Sequence, residues 1–403
     1  MRKLVVVGAG PIGLEAALRG IHAGFDVTVL ERGRVGEAVR RWQHVSLFTP
    51  FGMNSTRLGT SACGAEVPDG NAMLSGAEFC SAYLEPLARC ATLDGRVKTQ
   101  HEVLAVSRQM YGKSARIGRP DRGASPFRLL VRADSRETVM QADVLLDCTG
   151  FTTAHRSVGA GGIPCPGESQ ALSDEHYRIP DIVGLERSRY ADRHTLVIGS
   201  GYSAATSVCL LGQLADEHKA TKVTWLTRGE RDAPVVSIPD DSLPERERLT
   251  NTANQLALAQ NGPVTWLPGP LVESIQTDKE QFQVQLSWEP QGRGGRAEHI
   301  RADEIIANPG FRANIEPFAE LQIYRCYATD GPIRLAAHLL NETSGDCLQQ
   351  SAGGPDLLSH PEPDFYILGA ASYGRDSRFL LQTGLQQIDD LFRHLESTEG
   401  NPV

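Results

Sequence analysis

The stretch Leu4-Val5-Val6-Val7-Gly8-Ala9-Gly10-Pro11-Ile12-Gly13-Leu14-Glu15-Ala16-Ala17-Leu18 decides how this chain is read. Leu4–Val7 is an apolar run of strand length, and Leu14, Ala17, Leu18 and Ile21 recur at i, i+3, i+4 and i+7, the stripe of a helix. A second strand, Asp26–Leu30, completes a β-α-β unit. Between strand and helix, Gly8, Gly10, Pro11 and Gly13 stand in a G-x-G-x-x-G turn. Small residues there allow a tight bend, close approach of the backbone to a pyrophosphate, and close packing of helix on strand. Glu31, with Arg32 beside it, stands 18 positions past Gly13, near the spacing at which a carboxylate accepts both ribose hydroxyls. The competing reading of Glu31 is a solvated surface acid.

The unit recurs. Thr195–Ile198 is apolar, Gly199-Ser200-Gly201-Tyr202-Ser203-Ala204 turns, Ala204, Val208 and Leu211 stripe a helix, and Lys222–Leu226 is the next strand. Ala142–Phe151 and Ala302–Phe311 also match, 160 residues apart, so each half closes in the same way. Glu102–Val106 with Phe127–Val131, and Val272–Ile275 with Phe282–Leu286, read as antiparallel meanders inserted into parallel sheets. Tyr111–Ser125 and Gln291–Arg296 carry turn residues without periodicity and are placed on exposed loops. A helix over Ile333–Leu340, a strand Phe365–Leu368 and an amphipathic helix with Leu381, Leu385, Ile388 and Phe392 on one face return to complete the first half. The expected fold is α/β, two Rossmann-like doubly wound domains. One spans 1–160 and 312–403, and the other, 161–311, is inserted in it.

At 403 residues, with about 150 per domain, the chain has room for two or three domains. A net charge of −9 with scattered arginines offers no basic stripe for nucleic acid. No apolar run approaches the roughly 18 residues of a membrane span. Eight cysteines without a C-x-x-C pair argue for reduced thiols, no metal knot and a cytoplasmic location.

The two turns, the closings Thr149-Gly150-Phe151 and Pro309-Gly310-Phe311, and Gly162–Glu168 ahead of the second turn together resemble the two-dinucleotide-binding-domain flavoproteins. This superfamily includes thioredoxin-reductase-like enzymes and N- and S-hydroxylating flavin monooxygenases. The resemblance implies FAD at the first turn, with Gly8, Gly10 and Gly13 facing its pyrophosphate, Glu31 its ribose, Val103 its adenine by backbone contact, and Thr149 and Gly150 at the inter-domain crossing. It implies a nicotinamide cofactor at Gly199, Gly201, Tyr202, Ser203 and Ala204. Arg228, after the second strand of that unit, suits the 2′-phosphate of NADPH, with NADH the alternative; Glu230 stands close by, and a ligand-free surface arginine is the plain reading. The third FAD segment of such proteins ends in Gly-Asp, whereas Leu368-Gly369-Ala370 lacks the acid. A backbone group, a water or Asp376 would replace it.

The reaction is read from departures. Ile12 stands where relatives with a cysteine in the first turn carry it, and Cys148 and Cys165 read as buried structural thiols, so electrons lack the usual route to a disulfide. The fingerprint F-x-G-x-x-x-H survives only as Ile182–Ser188, with Ser188 in place of its histidine. Trp42, His44 and Thr49 lie in an irregular stretch that passes the flavin in similar proteins, with His44 the acid/base candidate. Tyr373 and Arg375 follow the last strand, where the ligand crevice of a parallel sheet opens; pairing of Arg375 with an acid is the plain alternative. Leu381 and Gln382 begin the last helix, whose positive end suits the flavin edge that becomes anionic on reduction. Asp232–Leu243 and Tyr327–Pro361 are expected to shape a substrate pocket. The first expectation is an FAD- and NADPH-dependent monooxygenase acting on a small molecule through a flavin C4a-hydroperoxide. The alternatives are a reductase passing electrons to a quinone, a ferredoxin-like protein or a partner disulfide, and a degenerate flavoprotein serving as a sensor. A homo-oligomer is compatible with each.

Overall fold

The computed structural model describes residues 1–399 other than 65, 152–153, 230, 289–295, 343–347 and 349–353. The chain divides into two compact units, residues 1–154 with 311–403, and residues 155–310. The first junction lies earlier than the expected 160/161. Residues 155–160 go with the second unit because the Val158 N–H donates to Glu168 (3.0 Å) and Gly159 bridges to Val272.

In the first unit, β1 (Lys3–Val7), β2 (Asp26–Leu30) and β3 (Val97–Lys98) pair in parallel. The meander is β4 (His101–Arg108), β5 (Phe127–Ala133) and β6 (Arg136–Ala142), followed by β7 (Val144–Asp147). The second unit carries the parallel strands β8 (His194–Ile198), β9 (Lys222–Thr227), β10 (Val264–Pro268) and β14 (Glu304–Ala307). Its meander is β11 (Leu271–Asp278), β12 (Gln281–Ser287) and β13 (Ala297–Ala302). The chain returns to the first unit for β15 (Phe365–Ile367). The sheet orders are β15-β7-β1-β2-β3 and β10-β9-β8-β14. In each, the first strand of the unit lies between its successor and its closing strand, so the strand order reverses there. A crevice at the carboxyl edge of β1/β7 and of β8/β14 follows from that reversal.

The reason these runs become central strands is burial on both faces: Leu4 to Val7 and Thr195 to Ile198 are all buried, as parallel strands covered by helices require. The covering helices obey the sequence stripe. In the first unit, α1 (Pro11–His22) starts with Pro11 in its first turn, where a missing N–H costs nothing. In the second unit, α2 (Tyr202–Glu217) and α3 (Pro244–Leu258) pack together. Back in the first unit come α4 (Ile333–Asn341) and α5 (Leu381–Glu399). α5 lies on α1: Phe392 meets Phe25 edge to face, and Arg19 lies over Phe392 while giving two hydrogen bonds to Glu396 (2.8 and 3.0 Å).

One expectation is corrected. Tyr111–Ser125 is not an exposed loop throughout, because Arg122 within it is fully buried. Its guanidinium, with that of the buried Arg108, closes on the buried carboxylate of Glu362 (2.7 to 3.1 Å) and also donates to the carbonyls of Gly112 and Ala115. The loop is thereby pinned to the segment entering β15. Of the second expected loop, 291–295 lie outside the described residues.

Candidate functional site

The first glycine turn is built by contacts that leave one face free. The Gly8 N–H donates to the Leu30 carbonyl (2.7 Å) and the Cys148 N–H to the Val7 carbonyl (2.9 Å), joining the ends of β1, β2 and β7. Gly8 has φ +108°, and a Cβ there would stand 2.6 Å from the Cys148 oxygen; a Cβ at Gly13 would stand 1.9 Å from the Gly8 oxygen. The protein itself requires those two glycines. Gly10 is different, since a Cβ there would meet no atom within 4 Å. Its small size leaves room that nothing in the chain uses, directly before Pro11 and the positive end of α1, where an anion is favoured.

The second turn repeats this division. The Gly199 N–H donates to the Leu226 carbonyl (3.0 Å) and the Asn308 N–H to that of Ile198 (2.7 Å). Gly199, at φ +145°, would bring a Cβ to 2.4 Å from the Asn308 oxygen, while Gly201 has open space within 4 Å. Tyr202 begins α2, and Ser203 and Ala204 follow in its first turn, with Ala204 in the core. The Trp225 indole donates to the Gly199 carbonyl (2.8 Å), which fixes the turn from beneath. Arg228 is exposed just past β9, with no ion pair among the described residues; Glu230 lies outside them. A pyrophosphate backbone fits both turns on this observation: in each, the glycine that no internal contact demands is the one that precedes the helix.

Around the first turn, Glu31 accepts from the Ala9 N–H (2.8 Å) and the Gly33 N–H (2.7 Å), so its carboxylate is held at the turn rather than set loose in solvent. Arg32 is exposed beside it. Val103 lies in β4 at a bulge against β5. Thr149 donates through its hydroxyl (2.6 Å) and N–H (3.1 Å) to the buried Asp147, whose carboxyl is pushed up by burial, and Gly150 has a positive φ.

The last segment converges on the same turn. A Cβ at Gly369 would come within 3.0 Å of Ile12, and one at Gly384 within 2.6 Å. The turn after β15 and Gly384 in the first turn of α5 therefore lie against the first glycine turn; Leu381 and the exposed Gln382 begin that helix. Sequence reasoning missed what holds Gly369. Gln387, fully buried on α5, accepts from the Gly369 N–H (2.8 Å) and donates to the Ser372 hydroxyl (2.9 Å), which in turn donates to the Gly369 carbonyl (2.7 Å). The i, i+4 spacing of Gln387 to Leu391 on the buried stripe of α5 was the available signal.

Asp376, offered as a replacement for the missing acid of this segment, accepts from the Arg378 guanidinium (2.6 to 3.1 Å). Arg375 takes up the plain alternative, donating to Asp330 (2.6 Å) at a partly exposed position. Tyr373 is buried against Phe379, with burial pushing its hydroxyl up to about 12. Trp42, His44 and Thr49 belong to an ordered ribbon. The Leu47, Phe51 and Gly52 N–H groups donate to Leu74, Ala72 and Gly70, Gly76 packs against the Trp42 ring, and the buried Thr49 donates to Asn54 (2.9 Å). His44 is half-buried in it. Trp42, His44 and Thr49 thus share one ribbon, and Tyr373 and Arg375 the turn after β15.

The thiols of Cys148 and Cys165 are held protonated. Burial, then Asp147, pushes Cys148 well up, and burial, then Glu168, pushes Cys165 up to about 12. Ile182–Ser188 forms a turn entering a short helix, Arg187–Tyr190. Of the two segments expected to shape a pocket, 343–347 and 349–353 lie outside the described residues. Among those described, no helix is long and apolar enough to cross a membrane.

Residues 5–115 match the family described as pyridine nucleotide-disulphide oxidoreductase. No curated protein matches the sequence. Among solved structures, the chain is similar to the bacillithiol disulfide reductase of Bacillus cereus, with 17% identity, 98% of this chain and 99% of that one covered and a TM-score of 0.70. It is also similar to the FAD-bound cadaverine monooxygenase of desferrioxamine biosynthesis from Erwinia amylovora, at 15% identity, 100% and 96% coverage and a TM-score of 0.64. A third likeness is to the thioredoxin reductase of T. acidophilum, at 14% identity, 99% coverage of both chains and a TM-score of 0.60. With its duplicated turns and parallel sheets, the chain has the fold of the two-dinucleotide-binding-domain flavoproteins, and its residues 5–115 carry the pyridine nucleotide-disulphide oxidoreductase match.

Proposed function

We propose that this protein is an FAD-dependent oxidoreductase fuelled by NADPH, and that its activity is monooxygenation of a small molecule. The observation that carries the cofactor reading is the paired cradle: Gly10 and Gly201 each keep open a space for which the chain has no use of its own. The first unit binds FAD and the second the nicotinamide dinucleotide. Bound flavin supplies hydride acceptance and, once reduced, reaction with oxygen. The chain's part is to place it. Glu31 holds the ribose, Gly10 and the start of α1 the pyrophosphate, and the start of α5 the edge that gains negative charge. Trp42, His44 and Thr49 border the ring, with His44 the acid/base candidate. Tyr373 lines the turn after β15, and Arg375 closes that turn on Asp330.

Monooxygenation is favoured over thiol-disulfide exchange by Ile12 and by the raised thiol of Cys148 beside the turn. The second reading, a reductase serving an external acceptor, is favoured by Ser188, which stands where fingerprinted monooxygenases carry histidine. The cysteines, without a C-x-x-C pair, support a cytoplasmic location for either reading.

Stopped-flow mixing of the NADPH-reduced protein with oxygenated buffer separates the two. Monooxygenation predicts a lasting absorbance transient distinct from both reduced and oxidised flavin. Direct return to oxidised flavin, with rapid turnover once a quinone or disulfide is added, assigns the reductase.

A further inference from the structure

Arg325 is a half-buried cation without a counter-ion. It stands on the segment before α4, bridged to Pro332, and one guanidinium N–H donates to the Asp330 carbonyl (3.1 Å). A guanidinium has five N–H groups to satisfy, yet Arg325 makes no ion pair among the described residues. Burial lowers its pKa, with Asp147 and Asp330 opposing. The acids of this region are committed elsewhere. Asp330 accepts from Arg375 (2.6 Å), Asp147 from the Thr149 hydroxyl and N–H, and Glu362 from Arg108 and Arg122. A charge withdrawn from water is ordinarily paired.

A second unmatched group stands beside it. The Glu362 N–H donates to the Gln322 carbonyl (3.0 Å) and the Gln322 N–H to the Glu362 carboxylate (2.8 Å), which sets the chain leading to Arg325 alongside the chain that carries His360. The His360 Nε2 atom is buried and has no hydrogen-bond partner among the described residues. Its ring lies 5.7 Å, centroid to centroid, from that of Phe365. Phe365 pairs with Leu145, and Asp147, two residues further along β7, is on the same face of the sheet. The charge of Arg325 is felt at both His360 and Asp147. The three groups therefore gather on one face, toward the carboxyl edge of β7, where the crevice of the first unit opens.

We propose that Arg325 and His360 form the anion subsite of the substrate pocket, and that the substrate is a small molecule bearing a carboxylate. This rests on the reading of the protein as a flavoenzyme acting on a small molecule, and names the class of that molecule. One guanidinium beside a neutral imidazole presents a single positive charge, the match for a monoanion; a dianionic phosphate would leave a second charge buried and unmatched. The planar guanidinium meets both carboxylate oxygens through two parallel N–H groups. His360, in the tautomer with its proton on Nε2, donates to the same carboxylate. Arg334 is exposed, donates to the Asp356 carbonyl (3.2 Å), and draws anions toward the subsite without closing it.

The test uses the full-length, flavin-loaded protein with two carboxylates of different size, acetate and benzoate, and their neutral counterparts acetamide and benzamide. Isothermal calorimetry and thermal unfolding read binding without turnover. At least one carboxylate should bind saturably and raise the unfolding temperature, its amide should do neither, and inorganic phosphate should bind more weakly. Arg325→Gln should weaken the carboxylate at least about tenfold, the worth of a hydrogen bond to a charged group. Arg325→Lys, which keeps the charge without the planar fork, should weaken it in the same direction and serves if the glutamine variant does not fold. His360→Phe keeps a ring against Phe365 and should cost about tenfold as well. Equal carboxylate affinity in wild type and variants, phosphate binding as tight as carboxylate, or no carboxylate binding by the flavin-loaded wild type overturns the proposal. Loss of flavin from Arg325→Gln with wild-type circular dichroism assigns the guanidinium to the cofactor and overturns it too. A wild type that takes up no flavin fails the underlying reading instead.

Discussion

Ile12 fills the space that a side chain at Gly384 would need: a Cβ there would stand 2.6 Å from Ile12 Cδ1. The first turn of α5 thus lies directly on the first glycine turn, although the two are nearly the whole chain apart. Gly384→Ala should force them apart. Overpacking of this kind costs about 1–3 kcal/mol, so thermal unfolding should come several degrees earlier and flavin retention on desalting should drop. Wild-type retention in this variant would show that the start of α5 does not touch the cofactor.

The two kinds of glycine in the first turn should separate in the laboratory. Gly10→Val meets only open space within the protein, so the variant should fold, with wild-type circular dichroism, and come off the column colourless. Gly8→Ala places a Cβ against the Cys148 carbonyl at an unfavourable φ and should lower the yield of folded protein itself. A yellow Gly10→Val protein would remove the pyrophosphate from this turn.

Glu362 is the carboxylate between two buried guanidinium groups. Burial raises its pKa, yet Arg122, the Gln322 N–H and Arg108 outweigh that and hold it below the ordinary carboxylate range. An acid whose folded pKa is depressed adds stability above its unfolded pKa, near 4.5, and that stability is lost as pH falls through the folded value. Glu362→Gln should therefore cost about 3–5 kcal/mol at neutral pH and flatten the acid limb of the unfolding curve. Chemical denaturation from pH 7 to pH 3 measures both, and an unchanged acid limb would contradict the assignment.

His360 works in a higher window. Burial, then Arg325 and Arg334, push its imidazole down to about 4, with Glu362 opposing them. The folded protein holds it neutral while the unfolded chain protonates it near 6.5, so stability falls as pH drops from about 6.5 to about 4, by up to about 1.4 kcal/mol per pH unit. His360→Leu should remove that slope. Retention of the full slope in the variant would assign it to other groups.

Much of the fold was legible because its signals are local. The two glycine turns, the buried strands Leu4–Val7 and Thr195–Ile198, and the α5 stripe each announce themselves within a dozen residues. The third meander strand, Arg136–Ala142, did not, because it is exposed nearly throughout and carries no alternation of apolar and polar residues. Arg122 was misplaced for a related reason. A charged residue in a glycine-rich stretch reads as surface until its partner is known, and Glu362 is 240 residues away. The same distance problem hid Gln387, whose partners lie on another element.

The most direct measurement is an anaerobic titration of the purified protein with NADPH, followed by the visible absorbance of its flavin. The account predicts a yellow protein that bleaches stoichiometrically with added NADPH and releases FAD on denaturation. A protein that holds no flavin after reconstitution with FAD, or one whose bound flavin stays oxidised under excess NADPH, would contradict it.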